Sequence, residues 1–219
     1  MERIPEPELM LSEEQARAYA EADFSTPHQM FVELFRERFG PELEGVVLDL
    51  GCGPADITVR FARAYPRCEL HGVDGSPAML KYGARRLEQE GLTHRIKLIL
   101  GKIPEVPLPQ AFYHAVIVNS LLHHLPRPEV LWETIKKVAR PGAPVLVMDL
   151  LRPESQEAAQ RLVHRYAASE PEVLKKDFYH SLLAAFRPEE VKAQLEEASL
   201  SHFQLEVVTD RHFIVYGRL

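Results

Sequence analysis

The sequence predicts an α/β protein built on a doubly wound parallel sheet. Short apolar runs rich in β-branched residues alternate with longer segments in which apolar residues recur at helical spacing. A repeated strand, helix, strand order with short connections produces a parallel sheet with helices on both faces. The predicted strands are 46–50, 68–73, 96–100, 112–118 and 144–150, and a hairpin of 203–208 and 212–218 follows at the end of the chain.

Start and stop signals frame the predicted helices. Residues 1–11 are rich in Pro and Glu and are expected to be extended, and Ser12 with Gln15 then predicts a capped helix over 12–23. The second helix ends at Gly40. The remaining predicted helices are 57–65, 77–90, 127–139, two helices near 154–168 and 171–186 that form an insertion over 153–187, and a last helix at 188–198.

Composition limits the class of protein. The 219 residues, 46% of them hydrophobic, suit one domain over 1–219, and no apolar run reaches the ~18 residues of a membrane span. We therefore expect a soluble cytoplasmic protein, monomeric or homodimeric, that does not bind a membrane. A net charge of −6 disfavours a nucleic-acid partner, which attracts a basic surface. Cys52 and Cys68 are the two cysteines, without a CxxC motif for zinc or redox chemistry.

A glycine turn after the first strand is the main functional signal. Residues 46–58 read VVLDLGCGPADIT, so an apolar run ends on Asp49 and breaks at Gly51, Cys52 and Gly53 before a helix begins. Gly51-x-Gly53 is half of a dinucleotide fingerprint, and an NAD-dependent oxidoreductase is one alternative. Asp56 argues against it, because a carboxylate at that helix start repels a pyrophosphate. The turn fits a ligand with a cationic amino-acid end and a ribose.

A ribose ligand predicts an acid at the end of the second strand, about 20 residues further on. Asp74 lies there, 21 residues after Gly53, and is followed by Gly75 and a new helix that includes Met79. Its carboxylate can accept hydrogen bonds from both ribose hydroxyls.

The segments DLGCGPA and GVDGSPAML resemble the cofactor motifs of class I S-adenosylmethionine (SAM)-dependent methyltransferases of the small-molecule type. The resemblance covers roughly residues 46–151, and Ala55 departs from it where the family often has a third glycine. It implies a Rossmann-like seven-stranded mixed sheet in the order 3-2-1-4-5-7-6. It also implies SAM as cofactor, S-adenosylhomocysteine (SAH) as product, and a cofactor site at Asp49, Gly51, Cys52, Gly53, Asp74, Gly75 and Met79.

Two further strand ends complete the cofactor site that the resemblance implies. The family usually has an acid for the adenine amino group after the third strand, but this sequence has Lys102. The adenine is therefore expected to be held by the Ile103 backbone, by apolar contacts with Met79 and Ile103, or by another polar group, and Lys102 is expected to face solvent. Asn119 and Ser120 follow the fourth strand and are expected to meet the methionine end of SAM.

His123 and His124 are the candidate catalytic bases, and both lie beside the expected substrate cavity. Adjacent side chains are expected to point apart, so one histidine at most should face the pocket. His124 is preferred, because an α-helix starting at Ser120 would place residues 120 and 124 on one face. The pair lacks a recognisable third ligand in the sequence, and we expect no metal.

The acceptor is expected to be a small molecule. In the family that the sequence resembles, N-terminal helices close over the cofactor, which makes residues 1–41 a candidate lid with Tyr19 and Phe24 facing the substrate, and the insertion 153–187 a candidate cover that includes Tyr179. Asp149 and Arg152 end the fifth strand and either contact the substrate or pair with each other. The expected reaction is methyl transfer to this acceptor by in-line displacement. The alternative is a SAM-binding regulatory or partner protein without transferase activity.

Overall fold

The computed structural model describes residues 1–6 and 12–219, so the part of the predicted extended segment at 7–11 lies outside the described residues. The described elements are α1 (Glu13–Glu21), α2 (Ser25–Phe39), β1 (Gly45–Leu50), α3 (Asp56–Ala64), β2 (Cys68–Asp74), α4 (Pro77–Glu90), β3 (Ile96–Leu100), β4 (Ala115–Asn119), α5 (Glu129–Val138), β5 (Pro144–Leu150), α6 (Gln156–Tyr166), α7 (Glu172–Ala184), α8 (Pro188–Glu197), β6 (Gln204–Val207) and β7 (His212–Arg218). A 3₁₀ turn, Leu122–His124, follows β4.

The strands form one mixed sheet in the order β3-β2-β1-β4-β5-β7-β6, which confirms the predicted fold. β1 to β5 pair in parallel, and β7 runs antiparallel to both β5 and β6. This order places β1 and β4 side by side at the point where the chain reverses direction across the sheet. Ligands of such sheets bind at the carboxyl ends of the strands beside this reversal.

Side chains that alternate along β1 contribute to the apolar core on both faces of the sheet. Successive strand side chains point to opposite faces, so Leu48 and Leu50 pack with Trp132 of α5, whereas Val47 packs with Phe35 of α2. All five side chains are buried. The continuous apolar runs in the sequence therefore correspond to strands that helices cover on both faces.

Local signals explain most element boundaries. Ser12 caps α1 by accepting a hydrogen bond from the Gln15 N–H, as predicted, and Ser76 caps α4 in the same way. β4 begins three residues later than predicted, because the Phe112 and Tyr113 N–H groups donate instead to the Val138 carbonyl at the end of α5. The first residues of the apolar run thus bind the end of α5, and the run joins the sheet only from Ala115 onward.

The insertion and the N-terminal segment meet over one end of the sheet. A third apolar cluster joins Leu150 of β5 with residues of α6 and α7, such as Ala159 and Leu182. Residues 1–6 lie against it, with the Ile4 N–H donating to the Leu183 carbonyl and Arg3 donating to the Ala184 carbonyl. None of the helices in the described part of the chain combines the length and apolarity needed to cross a bilayer.

Candidate active site

A cavity of about 550 Å³ opens at the carboxyl ends of β1, β2, β4 and β5. Most of the predicted site residues line it, and they come from the N-terminal helices and from the segments that follow β1, β2, β3 and β4. They are Tyr19, Phe24, Asp49, Gly51, Cys52, Gly53, Asp74, Gly75, Met79, Lys102, Ile103, Asn119, Ser120, His123 and His124. Its size is within the range of small-molecule sites, about 300 to 1,000 Å³.

The glycine turn crosses the end of β2, where the Gly51 and Cys52 N–H groups both donate to the Val73 carbonyl. Gly51, Gly53 and Ala55 have left-handed backbone angles, with φ of +74°, +52° and +62°. A Cβ on Gly51 would lie 3.1 Å from Leu121, whereas one on Gly53 would meet no protein atom within 4 Å. Gly53 therefore leaves open space for a ligand, and Gly51 permits close packing of the protein itself.

Asp74 fixes this turn. Its two carboxylate oxygens accept hydrogen bonds of 2.8 Å, one from the Gly53 N–H and one from the Ser76 N–H. Burial raises the pKa of the Asp74 carboxyl, and these two backbone hydrogen bonds oppose that shift. Each oxygen keeps a lone pair for a ligand hydroxyl, as the ribose prediction requires.

Asp49 lies behind the turn with only 2% of its surface exposed. It accepts a hydrogen bond of 2.6 Å from the Thr58 hydroxyl. Burial raises the pKa of the Asp49 carboxyl to about 7, and the negative charge of Asp74 adds to the effect. A cation bound beside Asp49 would favour its ionised form, so the position suits the amino group of an amino-acid ligand.

The carboxylate of Asp56 at the start of α3 binds other side chains of the protein. It accepts hydrogen bonds from His28 of α2 at 2.7 Å, Arg60 at 2.7 Å and Arg86 of α4 at 2.6 Å. Burial disfavours the charge, but His28, Arg60 and Arg86 outweigh it and hold the pKa of the Asp56 carboxyl below its usual range. Because two guanidinium groups neutralise this carboxylate, its repulsion of a pyrophosphate is weaker than the sequence alone predicts.

Polar groups border the cavity where β3 and β4 end. Lys102 borders the cavity beside Ile103 and is largely exposed, in line with the prediction that it faces solvent. At the other end, the Asn119 amide donates to the Ser120 hydroxyl at 3.2 Å. Asn119 Oδ1 is buried and has no hydrogen-bond partner among residues 1–6 and 12–219. A bound ligand with an N–H group would satisfy this acceptor.

The two histidines lie together, so the prediction that they point apart is wrong. Their ring centroids are 4.2 Å apart, and both rings line the cavity. Neighbouring side chains in a 3₁₀ turn differ by about 120°, which is too little to separate them onto opposite sides. The preference for His124 also loses its basis, since Ser120 has φ of +53° and the helical turn begins at Leu122.

Asp149 of β5 orients His123. One carboxylate oxygen of Asp149 lies 2.5 Å from His123 Nδ1, and the other accepts the Leu122 N–H at 2.7 Å. Burial disfavours both charges, but their mutual attraction dominates, raising the pKa of His123 and lowering that of Asp149. Asp149 therefore holds the His123 ring in place. The expectation that Asp149 contacts the substrate or pairs with Arg152 is wrong.

Arg152 and Tyr179 are also absent from the cavity lining. Arg152 forms an ion pair with Glu190 of α8 and is buried. Tyr179 packs against the apolar cluster of Leu150 and α7. Both predictions assumed that closeness to the end of β5 or to the cover brings a side chain into the cavity. The ion pair with Glu190 and the apolar cluster direct these two side chains elsewhere.

Several lining residues were missed in the sequence. Arg211 and His212 reach the cavity from the β6–β7 turn, because β7 pairs with β5. Burial lowers the pKa of His212 to about 4. Such residues can be found by predicting how the C-terminal hairpin pairs with the fifth strand, because that pairing places the hairpin turn at the carboxyl end of β5. Glu6 lies 3.3 Å from a nitrogen of each histidine, and no sequence signal marks it.

This chain is similar to known methyltransferases over part of its length. Residues 47–142 match the family model described as a methyltransferase domain. The chain is 31% identical over 107 residues to demethylmenaquinone methyltransferase of Geobacillus stearothermophilus, covering 48% of this chain and 45% of that protein. It is 27% identical over 125 residues to a ubiquinone/menaquinone biosynthesis C-methyltransferase of Azotobacter vinelandii, covering 54% and 49%. The chain thus spans about half the length of these curated relatives.

Solved structures resemble the whole chain. A SAM-dependent methyltransferase from Aquifex aeolicus superposes with a TM-score of 0.69 at 18% identity, covering 95% of this chain and 98% of that one. A putative methyltransferase from Methanococcus maripaludis gives a TM-score of 0.73 at 14% identity, covering 97% and 95%. At these identities the likeness establishes the fold.

Proposed function

We propose that this chain is a class I SAM-dependent methyltransferase and that it transfers the methyl group of SAM to a small-molecule acceptor. One observation carries the proposal. Asp74 at the end of β2 holds the glycine turn of β1 by the Gly53 N–H, and the space above Gly53 opens into the cavity. A carboxylate and a side-chain-free turn at adjacent strand ends suit a ribose with an amino-acid extension.

We propose one orientation of SAM along the carboxyl ends of the strands. Asp74 binds the ribose hydroxyls, and Gly75 borders the same region. The methionine end lies over Gly51, Cys52 and Gly53, with its amino group near Asp49 and the acceptor oxygen of Asn119. Ser120 completes that end, and the adenine lies between Met79 and Ile103 beside Lys102. The buried, unsatisfied oxygen of Asn119 supports this direction, because the methionine amino group is a donor that can reach strand ends at β1 and β4.

In this arrangement the reaction is an in-line displacement at the methyl carbon. The sulfonium of SAM is already a good leaving group, so the protein mainly orients the acceptor and excludes water. An acceptor that carries a proton needs a base, and we propose His123 or His124 for that role. The 2.5 Å contact of His123 Nδ1 with Asp149 fixes that ring, so His123 Nε2, which lies 3.3 Å from Glu6, is the nitrogen that would take the proton.

The shape of the cavity supports an apolar acceptor. Beyond the turn it is lined by apolar and aromatic side chains from β5, the N-terminal helices and the cover, including Tyr19, Phe24, Leu150 and Phe178. We propose a ring-bearing acceptor such as a quinol, which fits the names of the curated relatives. Residues 1–41 then act as the lid and 153–187 as the cover, in a cytoplasmic monomer or homodimer.

Methyl transfer from isotopically labelled SAM tests the proposal. The purified protein is incubated with labelled SAM and a panel of a naphthoquinol, phenols, amines and thiols, and the products are separated by mass. We expect label in one acceptor class, the quinol first. SAM binding without transfer to any class would favour the regulatory alternative, and binding of NADH in place of SAM would contradict both.

A further inference from the structure

Three side chains from two distant parts of the chain converge beside the cavity. Glu6 lies in the N-terminal segment, and His123 and His124 lie in the 3₁₀ turn after β4. Glu6 Oε1 is 3.3 Å from His123 Nε2 and 3.3 Å from His124 Nδ1. The three possible ligand atoms all lie within 4.8 Å of one another. The side chains are largely buried, with 8%, 2% and 14% of their surface exposed for Glu6, His123 and His124.

Surrounding contacts hold these groups in place. The Ser181 hydroxyl donates to Glu6 at 2.9 Å, and Arg3 fixes the segment by donating to the carbonyls of His123 at 2.8 Å and of Leu125 at 3.3 Å. The Asp149 carboxylate lies against His123 Nδ1, so Nε2 is the nitrogen directed at Glu6. A metal-binding imidazole usually donates its other ring N–H to a carboxylate in this way.

We propose that Glu6, His123 and His124 bind a zinc ion. Two neutral imidazoles and one carboxylate are a donor set of catalytic zinc sites, in which water takes the fourth position. Zinc bonds of roughly 2.0–2.1 Å at tetrahedral angles separate neighbouring ligand atoms by about 3.3 Å. The two measured separations from Glu6 have this value. Both histidines also line the cavity, where the fourth position can open.

Charge balance supports a cation at this position. Glu6 and Asp149 bring two carboxylates to a buried pair of histidines. The nearby Arg3 guanidinium donates its hydrogen bonds to backbone carbonyls, but its charge also attracts both carboxylates. A Zn²⁺ ion with neutral imidazoles would add two positive charges next to these carboxylates, which lowers the cost of burying them. A proton on one imidazole together with Arg3 would also balance the two carboxylates, and this is the rival that the experiment must separate.

Zinc binding would also change how the proposed transferase handles protons. An imidazole nitrogen bonded to zinc cannot accept a proton, so a zinc-bound water would become the base, and zinc lowers the pKa of such a water. This consequence rests on the proposed function. The zinc site itself does not, and its test needs neither SAM nor an acceptor.

The experiment is calorimetric titration of the metal-stripped protein, residues 1–219, with Zn²⁺, repeated with Co²⁺ to read the ligand geometry from its absorption spectrum. The variants are Glu6→Gln and Asp149→Asn, and Glu2→Gln is the matched control because Glu2 is an exposed carboxylate of the same segment. Circular dichroism and a SAM titration of each variant separate loss of zinc binding from loss of fold or of cofactor binding.

We expect one zinc per chain in the parent and in Glu2→Gln, with a tetrahedral cobalt spectrum. Asp149→Asn should weaken binding about 10- to 100-fold as an outer-shell change, and Glu6→Gln should weaken it more. Failure of the folded parent to bind one equivalent of Zn²⁺ would overturn the proposal in favour of a protonated histidine. Equal zinc affinity in the parent and Glu6→Gln would also overturn it, since the ion would then be held by other residues.

Discussion

Replacing Asp74 by Ala should weaken SAM binding and also loosen the turn that surrounds it. The carboxylate accepts two backbone N–H groups at 2.8 Å, from Gly53 and Ser76. Loss of the ribose hydrogen bonds, worth about 1.5–3 kcal/mol in total for a charged acceptor, lowers affinity about tenfold to hundredfold. The two N–H groups that lose their acceptor should reduce the free energy of unfolding by about 1–3 kcal/mol, because relief of the carboxylate's burial offsets part of the loss.

The assay pairs calorimetric SAM titration with urea unfolding. Asp74→Asn keeps one acceptor oxygen and should lie between the parent and Asp74→Ala in both measurements. Glu69→Gln is the control, since Glu69 is an exposed carboxylate of the same strand. Unchanged SAM affinity in folded Asp74→Ala would refute the assignment of Asp74 as the ribose ligand, and loss of stability alone would assign it a purely structural role.

Further predictions follow from the same geometry. Ala55→Gly should raise the free energy of unfolding by about 0.5–1 kcal/mol in urea titration, because φ of +62° strains an alanine. Gly51→Val should destabilise the fold through the clash with Leu121, and a parent-like melting temperature would contradict this. With the pKa of Asp49 near 7, SAM affinity should fall about tenfold per pH unit below that value and level off above it until the ligand's α-amino group loses its proton near pH 8, whereas Asp49→Asn should lack the slope below pH 7. His123→Ala or His124→Ala should slow single-turnover methyl transfer about 10²- to 10⁴-fold with little change in SAM affinity, and full activity in both would exclude a histidine base.

Elements with strong local signals could be predicted from the sequence. The Pro77–Glu90 helix matches its prediction at both ends, because Ser76 caps one end and Gly91 stops the other with φ of +64°. The strand Ile96–Leu100 also matches. The glycine turn and Asp74 are equally local, since each lies at a strand end marked by an apolar run. Parallel strands bring such ends to one edge, so their meeting at Gly53 follows from topology.

What could not be predicted depends on contacts between distant segments. The orientation of His123 is set by Asp149, 26 residues away, and the position of Glu6 by its contacts with Ser181 and the histidine pair. Neither contact leaves a periodic pattern in the sequence. Arg152 shows the converse, because its place at a strand end suggested a ligand contact, whereas Glu190 of α8 binds it away from the cavity.

A crystal structure of the protein with SAH would show whether the glycine turn and Asp74 hold the cofactor. We expect the ribose hydroxyls to lie within hydrogen-bond distance of Asp74 and the amino group to lie beside Asp49 and Asn119. We also expect the sulfur to face the cavity region of His123 and His124. SAH bound away from the Gly51 to Gly53 turn, or with its adenosine and methionine ends exchanged, would contradict the proposed cofactor site.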